Sequence, residues 1–180
     1  MKIDKEFEKN LTGSIFAGLM VGIGVIVNTQ CDNRYMGAFM FSIALLTIIR
    51  YKLPLYTGRI GFLKNSVGQF ALMLLMNCVG SMGALLMQLE ISDKYQQALL
   101  LMFVKGIGCG ILMFLAVKTK DPFFTVMCIM VFILSGFEHC IADFPSLVTH
   151  FSGANLIKWL AVVAGNSIGS IVTMWVIREE

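Results

Sequence analysis

Charged residues are scarce in this chain of 180 residues. Asp, Glu, Lys and Arg make up 14% of it and hydrophobic residues 57%, and the mean hydropathy is +0.80. A soluble domain usually has about a quarter of its residues charged. The composition therefore excludes a soluble domain, and a formal net charge of only +3 gives no reason to expect nucleic-acid binding.

Motifs for cofactors, metals and disulfides are also missing. There is no nucleotide-binding glycine loop, no H-E-x-x-H, no paired-aspartate metal motif and no Asn-Pro-Ala repeat. The five cysteines show no paired spacing: Cys31, Cys78, Cys109, Cys128 and Cys140. Residues 1–10 carry charges of both signs and lead into an apolar segment without a cleavage site, unlike a signal peptide. We expect no disulfide, no metal and no cofactor.

Long apolar segments fill almost the whole sequence. A transmembrane helix needs about 20 mostly apolar residues, and six such segments fit: Leu11–Thr29, Met36–Thr57, Ser66–Leu89, Gln96–Val117, Pro122–His150 and Ala154–Ile177. Because the connections are short, consecutive helices are expected to run antiparallel. The sequence thus predicts an all-α membrane protein with six transmembrane helices in a single domain over residues 1–180.

The basic residues predict the orientation of these helices. With a cytoplasmic N-terminus, ten of them lie on the inner side and three on the outer side. The inner group is Lys2, Lys5, Lys9, Arg50, Lys52, Arg59, Lys64, Lys118, Lys120 and Arg178, and the outer group is Arg34, Lys94 and Lys158. Cytoplasmic loops are enriched in Lys and Arg. We therefore expect an integral protein of the cell (inner or plasma) membrane with both termini cytoplasmic.

Two of the six segments are interrupted. The second contains charges and a proline within 50–58, and the fifth contains polar residues and a proline within 135–145. Backbone polar groups freed by such interruptions cannot face lipid, so they are buried in protein or line a cavity. Interrupted helices in matching positions are typical of transport proteins.

A weak internal repeat accompanies the interruptions. Asn77-Cys-Val-Gly-Ser81 in the third segment matches Asn166-Ser-Ile-Gly-Ser170 in the sixth, and Gly22-Ile-Gly24 matches Gly106-Ile-Gly108. Three helices are an odd number, so the two halves would cross the membrane in opposite senses. The pattern favours an inverted 3+3 repeat with a substrate path near the midplane.

Glu138 and His139 are ionisable residues inside an apolar segment, where such groups are rare and usually functional. A histidine titrates in the physiological range and suits proton exchange, whereas Glu138 is better explained as structural support. Lys105 either extends its amine toward the membrane surface or pairs with Glu138. Thr57 fits two roles equally: a hydroxyl donor to an anion, or a local backbone partner. The position of Lys94 alone indicates a solvated loop charge.

Several stretches resemble the formate/nitrite transporter family. Gly136-Phe-Glu-His-Cys-Ile-Ala-Asp143 is similar to its G-F-E-H-S-[IV]-A-N motif, and Leu55-Tyr-Thr-Gly58 to its L-F-T-G/S loop. Lys105-Gly-Ile-Gly-Cys-Gly110 resembles R-G-I-L-C-N, and Gly165-Asn-Ser-Ile-Gly169 resembles G-N-x-x-G. The stretches follow the family order and cover nearly the whole chain, which is short for the family.

The resemblance implies an aquaporin-like protomer within a homopentamer in the lipid bilayer, with one pore per protomer. The expected cargo is formate, nitrite, hydrosulfide or a similar weak-acid anion, moved by channel-like or proton-coupled transport. It assigns the substrate pathway and proton exchange to His139, Thr57 and Lys94. It assigns the apolar constrictions to Phe41, Leu45, Leu55 and Phe132, and leaves Glu138, Asn77, Asn166, Gly110 and Asp143 as structural support.

The chain departs from the family pattern at several positions. Gly110 replaces an asparagine that usually supports the histidine, which would give a wider pore near His139, and Asp143 and Cys140 replace Asn and Ser of the motif. Arg50, Lys52 and Pro54 are unusual before the Thr57 loop. These changes leave the substrate open. A neutral-solute channel on the same scaffold is one alternative, and a membrane enzyme with a Glu138–His139 acid–base pair is another, although the sequence offers it no nucleophile or metal.

Overall fold

The computed structural model describes residues 5–87 and 91–177, and every regular element in this part of the chain is a helix. The α-helices are α1 (Lys5–Gln30), α2 (Arg34–Arg50), α3 (Tyr56–Arg59), α4 (Val67–Ser81), α5 (Leu99–Thr119), α6 (Pro122–Leu134), α7 (Phe144–Thr149) and α8 (Gly153–Val176). Two 3₁₀ helices span Ile60–Phe62 and Met82–Leu86. The predicted all-α class is confirmed.

Three of these helices are long and apolar enough to cross a membrane, over Glu8–Gln30, Leu99–Thr119 and Gly153–Val176. They match the predicted first, fourth and sixth segments. The predicted second segment is divided between α2 and α3, and the predicted fifth between α6 and α7. The expected end of the third segment, Leu89, lies outside the described residues, as do Lys2 and Arg178 of the charge comparison.

α2 ends in a Schellman motif that turns the chain inward. Leu53 N–H donates to the Ile48 carbonyl at 2.9 Å and Lys52 N–H to the Ile49 carbonyl at 3.2 Å. Lys52 takes the left-handed conformation that this motif requires, with φ of 55°. The chain then runs through Pro54 into the short helix α3, so that Thr57 is placed inside the protein and not on its surface.

α6 ends in the same way, which explains one residue of the G-F-E-H motif. Phe137 N–H donates to the Phe132 carbonyl at 3.2 Å and Gly136 N–H to the Ile133 carbonyl at 3.0 Å. Gly136 holds the left-handed position with φ of 63°, where glycine has no steric penalty. The chain then remains non-helical until α7, and this stretch carries Glu138 and His139 into the core.

Glycines bring two pairs of helices into backbone contact around these interruptions. A Cβ on Gly18 of α1 would lie 1.9 Å from the Asn77 carbonyl oxygen of α4. In the second half, a Cβ on Gly169 of α8 would lie 2.2 Å from the Ile107 carbonyl oxygen of α5. No side chain fits in either place, so the α1–α4 and α5–α8 crossings depend on glycine.

Candidate functional site

A histidine and a threonine meet at the centre of the structure. Thr57 Oγ1 and His139 Nε2 are 2.9 Å apart, and the two residues are 0% and 3% exposed. Thr57 comes from α3 and His139 from the non-helical stretch after α6, so the two interruptions supply one partner each. Two residues that the sequence proposed separately thus form one buried polar pair.

The second ring nitrogen of His139 also has a partner. Ala142 N–H donates to Nδ1 at 3.2 Å, so Nδ1 acts as an acceptor and, in the neutral ring, Nε2 carries the hydrogen. Nε2–H then donates to Thr57 Oγ1. A hydroxyl that accepts this bond keeps its own hydrogen for another acceptor. The pair can therefore present one O–H donor to a solute that passes beside it.

Asn77 holds the first interrupted segment in place from α4. Its Oδ1 accepts Tyr56 N–H at 2.8 Å, and its Nδ2 donates to the carbonyls of Pro54 at 2.9 Å and Ser14 at 2.7 Å. The Tyr56 N–H and the Pro54 carbonyl lie outside the regular helical bonds and would otherwise be buried without a partner, which is costly. One amide therefore ties α1, α4 and the residues before Thr57 together.

Asn166 of α8 makes the corresponding set of bonds in the second half. Its Oδ1 accepts Cys140 N–H at 3.0 Å, and its Nδ2 donates to the carbonyls of Glu138 and Gly106, each at 2.9 Å. The backbone groups on either side of His139 are thus both fixed by one side chain. A buried amide with every bond satisfied gives a rigid site.

Apolar side chains lie directly beside the polar pair. The rings of Phe41 and Phe132 meet edge to face with centroids 6.1 Å apart, and Phe132 is 5.9 Å from the His139 ring. Leu45 and Leu55 are also buried, at 3% and 2% exposure. Phe132 therefore lies beside the pair with Phe41 against it, and Leu45 and Leu55 belong to the same buried core, while their role as gates stays a prediction.

A cavity on one side of Phe41 and Phe132 contains the predicted vestibule lysine. Its lining includes both phenylalanines, Gly136, Lys94 and Asp143. Lys94 Nζ lies 4.0 Å from Asp143 Oδ1, with the lysine side chain 47% exposed and the aspartate 4%. The carboxylate raises the pKa of Lys94 more than partial burial lowers it, so the amine remains charged. Asp143 therefore pairs with Lys94, a pairing that the sequence left open.

Glu138 lies in a second polar group next to this cavity. Gln97 Nε2 donates to Glu138 Oε1 at 2.7 Å, and Lys105 Nζ lies 4.0 Å from the same oxygen and donates to Gln97 Oε1. The predicted Lys105–Glu138 pairing is thus present, with Gln97 as a bridge. These contacts fix the chain immediately before His139.

A larger cavity lies on the opposite side of the polar pair. Leu55 and Gly58 line it together with four basic residues, Lys52, Arg59, Lys64 and Lys120. Arg59 Nη2 donates to the Lys52 carbonyl at 3.0 Å, which holds one charge at the wall. No acidic residue is among the described lining residues, so this cavity is electropositive.

The comparison with protein families agrees with this arrangement. The family model described as formate/nitrite transporter matches residues 1–179. The chain belongs to the formate/nitrite transporter family. It is therefore a membrane protein of a family of channels and transporters, as its long apolar helices also indicate.

Solved structures with this fold include two of comparable size. One is described as an FNT family ion channel, with a TM-score of 0.74 and 25% identity over 94% of this chain and 88% of that chain. The other is a pentameric formate channel with formate bound, with a TM-score of 0.75 and 21% identity over 97% of this chain and 98% of that chain. No curated protein matches the sequence.

Gly110, where the family motif has asparagine, lies at a close contact between α5 and α8 and not beside open space. A Cβ at this position would lie 2.2 Å from the Asn166 carbonyl oxygen, and Ser170 Oγ donates to the Gly110 carbonyl at 3.0 Å. The space beside Gly110 is occupied by the backbone of α8. In this family member the glycine brings α5 and α8 together and does not widen a pore.

Sequence reasoning missed the residues that hold the loop before α5. Tyr95 is 1% exposed, and its hydroxyl donates to the Asp143 carbonyl at 2.9 Å. Lys158 Nζ donates to the Tyr95 carbonyl at 2.6 Å, and Gln97 bridges Glu138 and Lys105. In the sequence these are ordinary loop and helix-end residues, and no pattern around them indicated burial.

Proposed function

We propose that this family member conducts a small monovalent anion, such as formate, nitrite or hydrosulfide, across the cell membrane. The single observation that carries the proposal is the buried Thr57–His139 pair behind the Phe41–Phe132 constriction, with one cavity on either side. A solute that passes between the cavities would meet this pair, which is the polar group nearest to the apolar barrier.

The proposed path lies in a protomer with six membrane crossings and an inverted 3+3 repeat. The matched helix ends support the repeat: Lys52 and Gly136 are the left-handed residues, and Asn77 and Asn166 bond the following backbone in the same pattern. Both termini would be cytoplasmic, as the distribution of basic residues favours.

The proposed assembly is a homopentamer with one path in each protomer. The pentameric formate channel with the same fold supports this assembly. Apolar residues are exposed along the outer faces of α2, α5, α6 and α8, for example Phe39, Leu100, Phe123 and Trp175. Lipid and neighbouring protomers would cover these faces, because an apolar surface of that extent is not stable in water.

The apolar constriction gives a physical reason for proton involvement. A bare anion loses most of its hydration between Phe41 and Phe132, at a far greater cost than the neutral acid. Desolvation favours the protonated form of a weak acid. In the proposed mechanism the anion approaches Lys94, accepts a hydrogen bond from the Thr57 hydroxyl, and takes a proton from water or from a His139 ring that has first been protonated and so returns to its neutral form. The neutral acid then crosses and releases its proton on the far side.

A neutral-solute channel on the same scaffold is the second candidate. The observation that favours it is the Lys94–Asp143 pair, because a balanced charge attracts anions less than a single cation does. Such a channel would not depend on the charge of Lys94, whereas the anion pathway would.

Uptake into proteoliposomes tests the proposal. Formate, nitrite and hydrosulfide are offered at acidic and at neutral pH, with His139→Asn beside the unmodified protein. We expect saturable uptake of at least one anion by the unmodified protein. The uptake rate of the variant should be lower by at least about tenfold, since a proton-exchanging side chain contributes at least that much. His150→Asn changes the only other histidine and should leave uptake intact.

Two results would contradict the anion pathway. Uptake by His139→Asn with the rate and pH dependence of the unmodified protein would exclude proton exchange at that residue. Liposome swelling in a neutral solute, without uptake of any of the three anions, would instead support the neutral-solute channel.

A further inference from the structure

Two buried carboxyl groups lie next to each other at the cavity that holds Lys94. Asp143 and Glu138 are 3% and 2% exposed, and their charges are close enough to interact. Asp143 Oδ2 and Glu138 Oε2 have no hydrogen-bond donor among the described residues. A carboxylate only accepts hydrogen bonds, whereas a carboxyl group that has bound a proton has one O–H donor.

Each carboxyl group also has one cation at the same distance. Lys94 Nζ is 4.0 Å from Asp143 Oδ1, and Lys105 Nζ is 4.0 Å from Glu138 Oε1. With both carboxylates ionised the four groups sum to zero, and Lys94 has little net attraction for an anion in the cavity. With one proton on the carboxyl pair the sum is +1, and the Lys94 charge is no longer balanced.

The other titratable groups around Asp143 do not change this balance. Those that face it from the neighbouring elements are Tyr95 of the loop before α5, Cys109 of α5, His139 and Cys140 of its own segment, and Lys158 of α8 beside Tyr95. Phenol and thiol groups are neutral below about pH 8. Both ring nitrogens of His139 are already bonded in the neutral form, and Lys158 donates to a backbone carbonyl.

We propose that Asp143, paired with Lys94 and adjacent to Glu138, determines the anion affinity of this entrance, which is low while both carboxylates are ionised and high after the pair binds one proton. The inference rests on the proposed anion pathway, because it concerns how the anion enters. An asparagine at this position, as in the family motif, would give the +1 state at every pH. Asp143 would thus make entry depend on pH in this chain.

The first test measures transport kinetics without a pH gradient. Formate uptake is followed as a function of concentration at acidic and at neutral pH, so that KM and kcat are separated. For the unmodified protein we expect KM to fall by about tenfold at acidic pH. Protonation removes one negative charge a few ångströms from the anion at Lys94, and an effect of this size is expected in a half-exposed site. Asp143→Asn should have the low KM at both pH values.

Two further variants serve as controls for this kinetic test. Asp32→Asn removes the same charge from an exposed residue in the loop before α2 and should behave like the unmodified protein. Adding Lys94→Gln to Asp143→Asn should raise KM again, since the lower KM of Asp143→Asn depends on the unbalanced charge of Lys94. The proposal would be overturned by an unchanged KM in Asp143→Asn, or by a KM that stays low in the double variant with Lys94→Gln.

The second test does not depend on transport. The reaction of Lys94 with a membrane-impermeant amine reagent is followed by mass spectrometry as a function of pH. Because Asp143 raises the pKa of Lys94, Asp143→Asn should be labelled severalfold faster than the unmodified protein, and Asp32→Asn should not. Infrared difference spectra should show one carboxylic acid band appearing on acidification, which is absent in Asp143→Asn.

The two tests separate the inference from the proposed function. If no variant transports an anion but the labelling and the infrared band change as expected, the proposed function fails while the paired charges remain established. If anion uptake occurs but Lys94 is labelled equally in all variants, the function stands and Asp143 does not determine entry.

Discussion

Replacing Thr57 with valine tests the central pair with the smallest change in shape. Valine keeps the branched side chain and removes only the hydroxyl, which lies 2.9 Å from His139 Nε2. Since Ala142 N–H occupies Nδ1, the ring keeps its hydrogen on Nε2, and that N–H is left without a partner in a fully buried site. A buried donor of this kind costs about 1–3 kcal/mol, which should appear as a lower thermal stability.

The same change should also slow transport, because the anion loses a hydrogen-bond donor. A hydrogen bond to a charged group contributes about 1.5–3 kcal/mol, and each 1.36 kcal/mol is about tenfold in rate. We therefore expect anion uptake about ten- to a hundredfold slower in Thr57→Val at equal protein incorporation. Thr57→Ser retains the hydroxyl and should stay close to the unmodified protein. If the valine and serine variants transport equally fast, the hydroxyl does not contact the anion, and the reasoning from the pair is wrong.

Two pairs of glycine changes test the fold around this site by thermal unfolding in detergent. Gly110→Ala should destabilise the protein by about 1–3 kcal/mol, because its Cβ meets the Asn166 carbonyl oxygen. In Gly68→Ala the new Cβ has nothing within 4 Å, so this control should be neutral or slightly stabilising. Equal effects of the two changes would contradict the close α5–α8 contact. Gly136→Ala should lower the free energy of unfolding by about 1–2 kcal/mol, because alanine is strained in the left-handed conformation. Lys52→Gly, at the equivalent position of α2, should not destabilise the protein. A lower stability of Lys52→Gly would mean that the conformation of Lys52 is not strained.

The helices could be predicted from the sequence because their signal is local. Apolar composition and short connections sufficed to predict an all-α fold, whereas the six-span arrangement with interrupted second and fifth segments stays a prediction. The end of α6 was also accessible, since Gly136 is the residue that a left-handed helix end favours. The matching end of α2 could not be predicted, because a lysine at the left-handed position does not indicate the end of a helix.

The candidate site was predicted in its residues but not in its contacts. His139 and Thr57 were singled out separately, and their meeting depends on how two distant interruptions pack, which no local pattern specifies. Asn77 and Asn166 were expected as structural support, and each is bonded to three backbone groups. Gln97 and Tyr95 were missed because the contacts of the first and the burial of the second depend on the tertiary fold alone.

Two buried asparagines bond the backbone in the same way, but the residues beside those bonds differ. Asn77 bonds Tyr56 N–H and Asn166 bonds Cys140 N–H, so Leu55 and His139 hold equivalent positions before the bonded residue. The first is a buried leucine and the second is a buried histidine. The same bonds therefore hold both non-helical stretches, while the difference between these two side chains places an apolar group at one stretch and a titratable group at the other. A sequence comparison that scores only the matching asparagines would find the fold and overlook this difference.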